Sequence, residues 1–157
     1  MEQSKNLVIF DIDGVLMDSQ ARAQFWVDGD YEKYLNATAT DKPIKQGLEV
    51  CRMFLRNHQF SVVFVTGRGD TPSHRKATLK DLEHYLGIPL DTSQLLMRAW
   101  PIPEEEKYND AVVKPKLITD AGYSLEDIFM VFEDRPSIVN MWRERGTVCY
   151  QTEKGWD

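Results

Sequence analysis

Two carboxylates follow an apolar run near the start of the chain. Residues 7–10 are all apolar, Asp11 and Asp13 come next, and Gly14 follows. An apolar environment cannot solvate two neighbouring negative charges, so the pair calls for a bound cation, a shared proton or a phosphate-handling site built around both. The pattern therefore favours metal-assisted chemistry at the end of a buried strand.

Three further stretches place polar side chains beside apolar segments. They are Thr66-Gly67-Arg68, Lys114 within Val112-Val113-Lys114-Pro115-Lys116, and Glu133-Asp134-Arg135. With the first stretch they supply a nucleophile, a proton donor, a phosphate-binding hydroxyl, a fixed cation and metal-binding acids. Each alone has an ordinary structural explanation: a turn after a strand, a surface lysine, or acids at the start of a helix. The occurrence of all four beside apolar elements favours a catalytic site.

The apolar pattern predicts the elements that would position these residues. Short apolar runs predict strands at 7–11, 61–66, 94–98, 128–133 and 147–151, and helical patterns lie at 45–57, 73–86, 110–121 and 136–145. Pro115 suits the helix at 110–121 if that helix begins near Val112. Alternating strands and helices predict an α/β fold with a mostly parallel central sheet and helices on both faces.

Two segments show no clear period, and we expect loops or small irregular insertions at 17–43 and 99–109. Both follow the carboxyl ends of predicted strands, where ligands bind in open parallel sheets. Three aromatic residues of the first segment, Trp26, Tyr31 and Tyr34, suit either a small core beneath a loop or a surface that stacks on nucleobases.

Composition limits the classes of protein. A chain of 157 residues, 42% hydrophobic and 28% charged, predicts one globular domain over residues 1–157 with a short insertion at 17–43. The net charge of -6 argues against a protein that coats long nucleic acids, although recognition of one phosphorylated end stays open. We expect a cytoplasmic protein, because no apolar stretch approaches a membrane span, with Cys51 and Cys149 as reduced thiols.

In these four stretches the chain resembles the haloacid dehalogenase (HAD) superfamily of phosphotransferases. The resemblance implies a three-layer Rossmann-like fold with a small cap or none, Asp11 as the nucleophile that becomes an aspartyl-phosphate, and Asp13 as the general acid and then base. Thr66 would contact the phosphoryl oxygens and Lys114 would stabilise the transition state. It also implies Mg²⁺ held by the Asp11 and Asp134 side chains and the Asp13 backbone carbonyl, with Glu133 acting through water.

The second half of the chain is similar to the 3'-phosphatase domain of phage-type polynucleotide kinase-phosphatases, a family that heals nucleic-acid ends. The similarity rests on residues 65–68, 110–114, 133–135, 141–143 and 146–151. It implies that Arg68, Arg98 and Arg135, with Gly67, line the path of a nucleic-acid end. No G-x-x-x-x-G-K-[ST] segment is present, so we expect no 5'-kinase activity from this chain.

Together these observations predict a magnesium-dependent phosphomonoesterase that removes 3'-phosphates from nucleic-acid ends, working beside a separate kinase or ligase. Two alternatives remain open: a nucleotidase or other small-molecule phosphatase, and a non-catalytic phosphate-binding partner module. Arg68 and Arg98 have a further alternative, since either suits an ordinary solvated arginine.

Overall fold

The computed structural model describes residues 5–107 and 109–153. Its strands are β1 (Leu7–Phe10), β2 (Met17–Asp18), β3 (Lys42–Pro43), β4 (Ser61–Asp70), β5 (Leu95–Ala99), β6 (Ile128–Glu133) and β7 (Cys149–Gln151). Its α-helices are α1 (Ala23–Val27), α2 (Tyr31–Asn36), α3 (Lys45–Leu55), α4 (Pro72–Leu86), α5 (Asp110–Asp120) and α6 (Pro136–Glu144). Short 3₁₀ turns lie at Gln20–Arg22, Thr38–Thr40, Thr92–Gln94, Glu104–Glu106 and Leu125–Asp127.

The central sheet has five strands in the order β5-β4-β1-β6-β7, and every neighbouring pair is parallel. Strand β1 lies in the middle, with Phe10 opposite Phe64 of β4 and Phe132 of β6. Parallel strands leave a sheet at one common edge, so the residues that follow β1, β4 and β6 emerge side by side. This confirms the predicted α/β fold and places the polar stretches that follow these strands on one edge.

Helices cover both faces of the sheet. Val8 and Phe10 pack with α3 and α4 on one face, whereas Leu7 and Ile9 pack with α5 and α6 on the other. Successive side chains of a strand point to opposite faces, so a strand covered twice must be apolar at every position. That requirement explains why β1 has four consecutive buried residues.

The boundaries of several elements differ from the predicted ones. Strand β4 continues to Asp70, with a shift in its register against β5 between Thr66 and Gly69. Helix α5 begins at Asp110 rather than near Val112, so Pro115 lies inside the helix. A proline there removes the backbone donor that would reach the Ala111 carbonyl, a loss that the helix tolerates.

The segment 17–43 forms a small cap, which the resemblance allows, and it contains short helices where loops or irregular insertions are expected. Strands β2 and β3 pair in antiparallel fashion at its base, and helices α1 and α2 lie between them. Helices of five and six residues are too short to show a periodic pattern in sequence. Across the described ranges, no helix combines the length and the apolar character that crossing a bilayer requires.

Candidate active site

A small pocket lies at the edge of the sheet where β1, β4 and β6 end. Asp11 continues alongside β6, since its backbone N–H donates to the Phe132 carbonyl at 3.0 Å. The pocket has a volume of about 80 Å³. The predicted site residues that line it are Asp11, Asp13, Gly67, Lys114, Asp134 and Arg135, joined by Asp110 and by Ser19, Trp26 and Tyr34 from the cap.

Three acids converge in this pocket. One carboxylate oxygen each from Asp11, Glu133 and Asp134 lies within 4.8 Å of the other two. Burial, together with repulsion from Glu133, raises the pKa of Asp11 well above its usual range. Burial and the Asp11 charge raise the pKa of Asp134 to about 6. Hard oxygen donors that repel one another at this separation fit a divalent cation such as Mg²⁺.

Gly14 lets Asp134 approach the end of β1. The residue has a φ of 80°, and a Cβ built on it would lie 2.0 Å from the Asp134 Oδ2 atom. Any larger residue would push this carboxylate out of the cluster, so a glycine is required at that place.

Lys114 reaches the acids from helix α5. Its ammonium Nζ lies 2.6 Å from Glu133 Oε2 and 3.2 Å from Asp11 Oδ2, and the side chain is 5% exposed. Burial alone would lower the pKa of Lys114, but the charges of Asp11 and Glu133 outweigh it and raise the pKa. The lysine is therefore a fixed positive charge beside the nucleophile candidate.

The Glu133 carboxylate already has several partners besides Lys114. Its Oε1 atom accepts the backbone N–H groups of Asp134 at 3.1 Å and of Arg135 at 3.4 Å. These contacts suit a residue that orients the site, and the expectation that Glu133 would reach a metal through water stays a prediction.

Asp13 lies between two buried arginines. Its Oδ1 atom is 2.7 Å from Nη2 of both Arg22 and Arg68. The same two arginines also hold Asp41, whose carboxylate accepts from Arg22 at 2.7 Å and from Arg68 at 2.9 Å. Burial would raise the pKa of Asp13, but the arginines outweigh it and lower the pKa. In this arrangement Asp13 is ionised, the form that accepts a proton.

The sequence analysis missed Arg22, Asp41 and Asp110. Asp110, at the start of α5, accepts from Arg98 at 2.7 Å and also pairs with Arg135. It approaches β4 closely, since a Cβ on Gly67 would lie 3.3 Å from its Oδ2 atom. The signal available was Asp110 at the start of a helix that carries Lys114 one turn later.

Besides Glu133, three predicted residues lie behind the pocket surface. Thr66 is fully buried, and its hydroxyl accepts the Arg68 backbone N–H at 3.2 Å. Arg68 and Arg98 are 3% and 0% exposed, so the alternative that they are solvated arginines is wrong. Their guanidinium groups contact carboxylates of the protein, and their assignment to substrate binding, like that of Thr66, stays a prediction.

Two aromatic residues of the cap face the acids. Trp26 and Tyr34 line the pocket, and their ring centroids are 5.4 Å apart. The ring centroids of Trp26 and Tyr31 are 4.7 Å apart. The Arg22 guanidinium carbon lies 4.1 Å from the centre of the Tyr34 ring. A cation over an aromatic face at this distance holds the ring in place, so the cap is tied to the same arginine as Asp13.

Comparison with known proteins gives one family and several similar folds. Residues 5–156 match the model of the polynucleotide kinase PNKP phosphatase domain. A structure of a Pnkp1/Rnl/Hen1 complex aligns with a TM-score of 0.71 at 21% identity, over 100% of this chain and 49% of that one. A structure of a Pnkp1/Rnl/Hen1 RNA repair complex aligns with a TM-score of 0.70 at 21% identity, over 99% of this chain and 44% of that one. This chain thus spans about half the length of these two chains.

A HAD-like family hydrolase from Porphyromonas gingivalis is also similar. It aligns with a TM-score of 0.58 at 14% identity, over 99% of this chain and 94% of that one. At such identities the solved structures indicate the fold alone, which is the fold predicted from the sequence.

Proposed function

The chain belongs to the polynucleotide kinase PNKP phosphatase domain family, and on this premise we propose that it removes 3'-phosphates from nucleic-acid ends through an aspartyl-phosphate. It is a HAD-type phosphatase, a hydrolase of phosphoric monoesters. The observation that carries the proposal is the convergence of the Asp11, Glu133 and Asp134 carboxylates within 4.8 Å, beside the Lys114 ammonium.

The acids supply the ligands for Mg²⁺, and we propose that Asp11 and Asp134 hold it through their carboxylates and Asp13 through its backbone carbonyl. When bound, Mg²⁺ would offset the repulsion between an anionic nucleophile and an anionic phosphate. Glu133, whose carboxylate lies 2.6 Å from the Lys114 ammonium, would support the metal site through water, without direct contact with the ion.

The remaining chemistry is assigned to the side chains of this chain. A carboxylate oxygen of Asp11 attacks phosphorus, the bond from phosphorus to the 3' oxygen breaks, and that oxygen takes a proton from Asp13. Water then attacks the phosphoryl group as Asp13 takes back a proton, which frees inorganic phosphate and restores the Asp11 carboxylate. Lys114, 3.2 Å from Asp11, stabilises the charge on the transferring group.

The contacts of Asp13 bear on the first of these proton transfers. Arg22 and Arg68 lower its pKa, which favours the water-activating step. We expect the negative charge of the entering phosphate to oppose the arginines and raise the pKa of Asp13, so that Asp13 carries the proton that it donates.

The size of the pocket supports recognition of a terminus. A volume of about 80 Å³ accommodates a small group such as a phosphoryl group among the acids and Lys114. A net charge of -6 suits contact with a single end better than tracking of a long backbone.

We also propose that the domain works in the cytoplasm beside a kinase or ligase carried by another chain or another part of a longer one. The similarity to proteins of a Pnkp1/Rnl/Hen1 RNA repair complex supports this proposal.

The test measures phosphate release from a 3'-phosphorylated oligonucleotide, from the same oligonucleotide phosphorylated at its 5' end, and from nucleoside monophosphates. We expect turnover of the 3'-phosphorylated strand, dependent on Mg²⁺ and abolished by chelation. Release from the monophosphates alone would contradict the end-healing assignment and favour a nucleotidase.

The nucleophile is tested with Asp11→Asn, which keeps the size of the side chain and removes its nucleophilic oxygen. We expect loss of Mg²⁺-dependent phosphate release from an aryl phosphate, with an unchanged circular dichroism spectrum. Asp120→Asn, at an exposed position of α5, is the matched control and should retain activity. Equal activity of the Asp11 variant and its parent would remove Asp11 from this role.

A further inference from the structure

We propose that Trp26 and Tyr34 of the cap form a stacking surface for the terminal nucleobase of the substrate, with Trp26 as its main contact. This inference rests on the proposed function, because it concerns the strand whose 3'-phosphate lies over Asp11. It assigns a specificity-determining role to the cap, whose sequence favours a small core and leaves base stacking as the alternative.

The position of the two rings separates these alternatives. Both side chains line the pocket that holds Asp11, Asp13 and Lys114. Among the described residues, the two buried apolar clusters of the domain include neither Trp26 nor Tyr34. The aromatic neighbours of Trp26 are Tyr31 and Tyr34, tilted against it at 55° and 60°. The rings thus form part of the wall of the candidate active site.

The geometry of the pocket leaves the nucleoside at this wall. A phosphoryl group that reacts with Asp11 lies among the acids and beside the Lys114 ammonium, 3.2 Å from Asp11. The sugar and base of the same nucleotide then lie beside the rest of the pocket lining, to which the cap contributes Ser19, Trp26 and Tyr34. Aromatic side chains stack on any base because every base has a π face, so such a surface selects nucleic-acid ends without selecting sequence.

The cap is held at a fixed position relative to the catalytic acids. Arg22 is fully buried, contacts Asp13 and Asp41 at 2.7 Å each, and places its guanidinium carbon 4.1 Å from the Tyr34 ring centre. One face of Tyr34 is therefore taken by Arg22, which makes Trp26 the stronger candidate for contact with a base. A preorganised surface loses little side-chain entropy when a base stacks on it.

The experiment compares two substrates that differ only in the terminal base. One is a 3'-phosphorylated oligonucleotide, and the other is the same strand ending in an abasic nucleotide with a 3'-phosphate. The measured quantity is the ratio of kcat/KM for the first substrate to kcat/KM for the second. We expect Trp26→Ala to lower this ratio about tenfold, the size typical of one lost base stack, and Trp26→Phe to keep most of it.

Phe25→Ala is the matched control, since Phe25 is the neighbouring aromatic of α1 and packs near the Lys33 ammonium, 5.2 Å from its ring centre, rather than on the pocket wall. Its ratio should equal that of the parent. A Trp26→Ala variant that loses activity on both substrates equally would overturn the inference, because Trp26 would then only support the cap. A parent protein inactive on both oligonucleotides but active on nucleoside monophosphates would instead refute the proposed function.

Discussion

Replacing Asp134 with asparagine should stabilise the metal-free protein while it removes activity. Asp134 carries a negative charge beside Asp11, and burial and that neighbour raise its pKa from 3.8 to about 6. Asparagine has nearly the same shape and no charge, so it keeps the packing against Gly14 and removes the repulsion. The change therefore separates the role of this acid in folding from its role in metal binding.

The magnitude follows from the two pKa values. In the unfolded chain the group ionises near 3.8 and in the folded protein near 6, so the folded state loses stability as the pH rises through this window. The loss above pH 7 is about 3 kcal/mol at most, and partial exposure of the side chain reduces it to roughly 1–2 kcal/mol. For a domain of this length that corresponds to a melting temperature about 2–8 °C higher.

The assay is thermal and urea unfolding of the parent and of Asp134→Asn with a chelator present, at about pH 7.5 and about pH 5. We expect the variant to have the higher free energy of unfolding at about pH 7.5, and this difference from the parent to fall to about half at about pH 5. At the lower pH the folded parent is largely protonated at Asp134. Added Mg²⁺ should stabilise the parent more than the variant. Asp120→Asn, an exposed acid, should show no such pattern.

A gain that is equal at both pH values, or no gain at the higher one, would refute the reasoning, since the repulsion among the acids would then be absent. Equal stabilisation of the parent and of the variant by Mg²⁺ would remove Asp134 as a ligand.

Two further predictions concern the buried ion pairs. Lys114→Met leaves the Glu133 carboxylate, 1% exposed, without its ammonium partner, and should lower the free energy of unfolding by about 3–5 kcal/mol in urea titrations. A loss below about 1 kcal/mol would contradict this prediction, because the pair would then contribute no more than a solvent-exposed ion pair. Arg22→Ala leaves Asp41 with Arg68 as its remaining arginine partner and should cost about 3–5 kcal/mol, together with most of the kcat on an aryl phosphate. Arg56→Ala, at an exposed arginine, is its control, and equal stability of the two variants would contradict the assignment.

Much of the site could be predicted because its residues follow apolar runs. The apolar runs before Asp11 and Asp134 predict that both acids lie at one edge of the sheet, whereas the role of Lys114 follows from the resemblance to the HAD superfamily. The structure brings all three side chains to one pocket. Parallel strands share a carboxyl edge, so knowledge of which residues end the strands is enough to know that they meet. The cap was not predicted as helical because its two helices are only five and six residues long.

The sequence by itself determined the α/β fold, the order of the polar stretches and the acids at the strand ends. Local apolar patterns are enough for this, because they indicate which strands and helices are buried. Only the tertiary structure decided that Arg22 joins Asp13 to Asp41, that Asp110 joins Arg98 to Arg135, and that Trp26 faces the acids. The physical reason is that a charged residue has the same local pattern whether it is solvated or paired. Its partner can lie far away along the chain, 55 residues for Arg68 and Asp13 and farther for Lys114 and Asp11, and is fixed by how the layers pack.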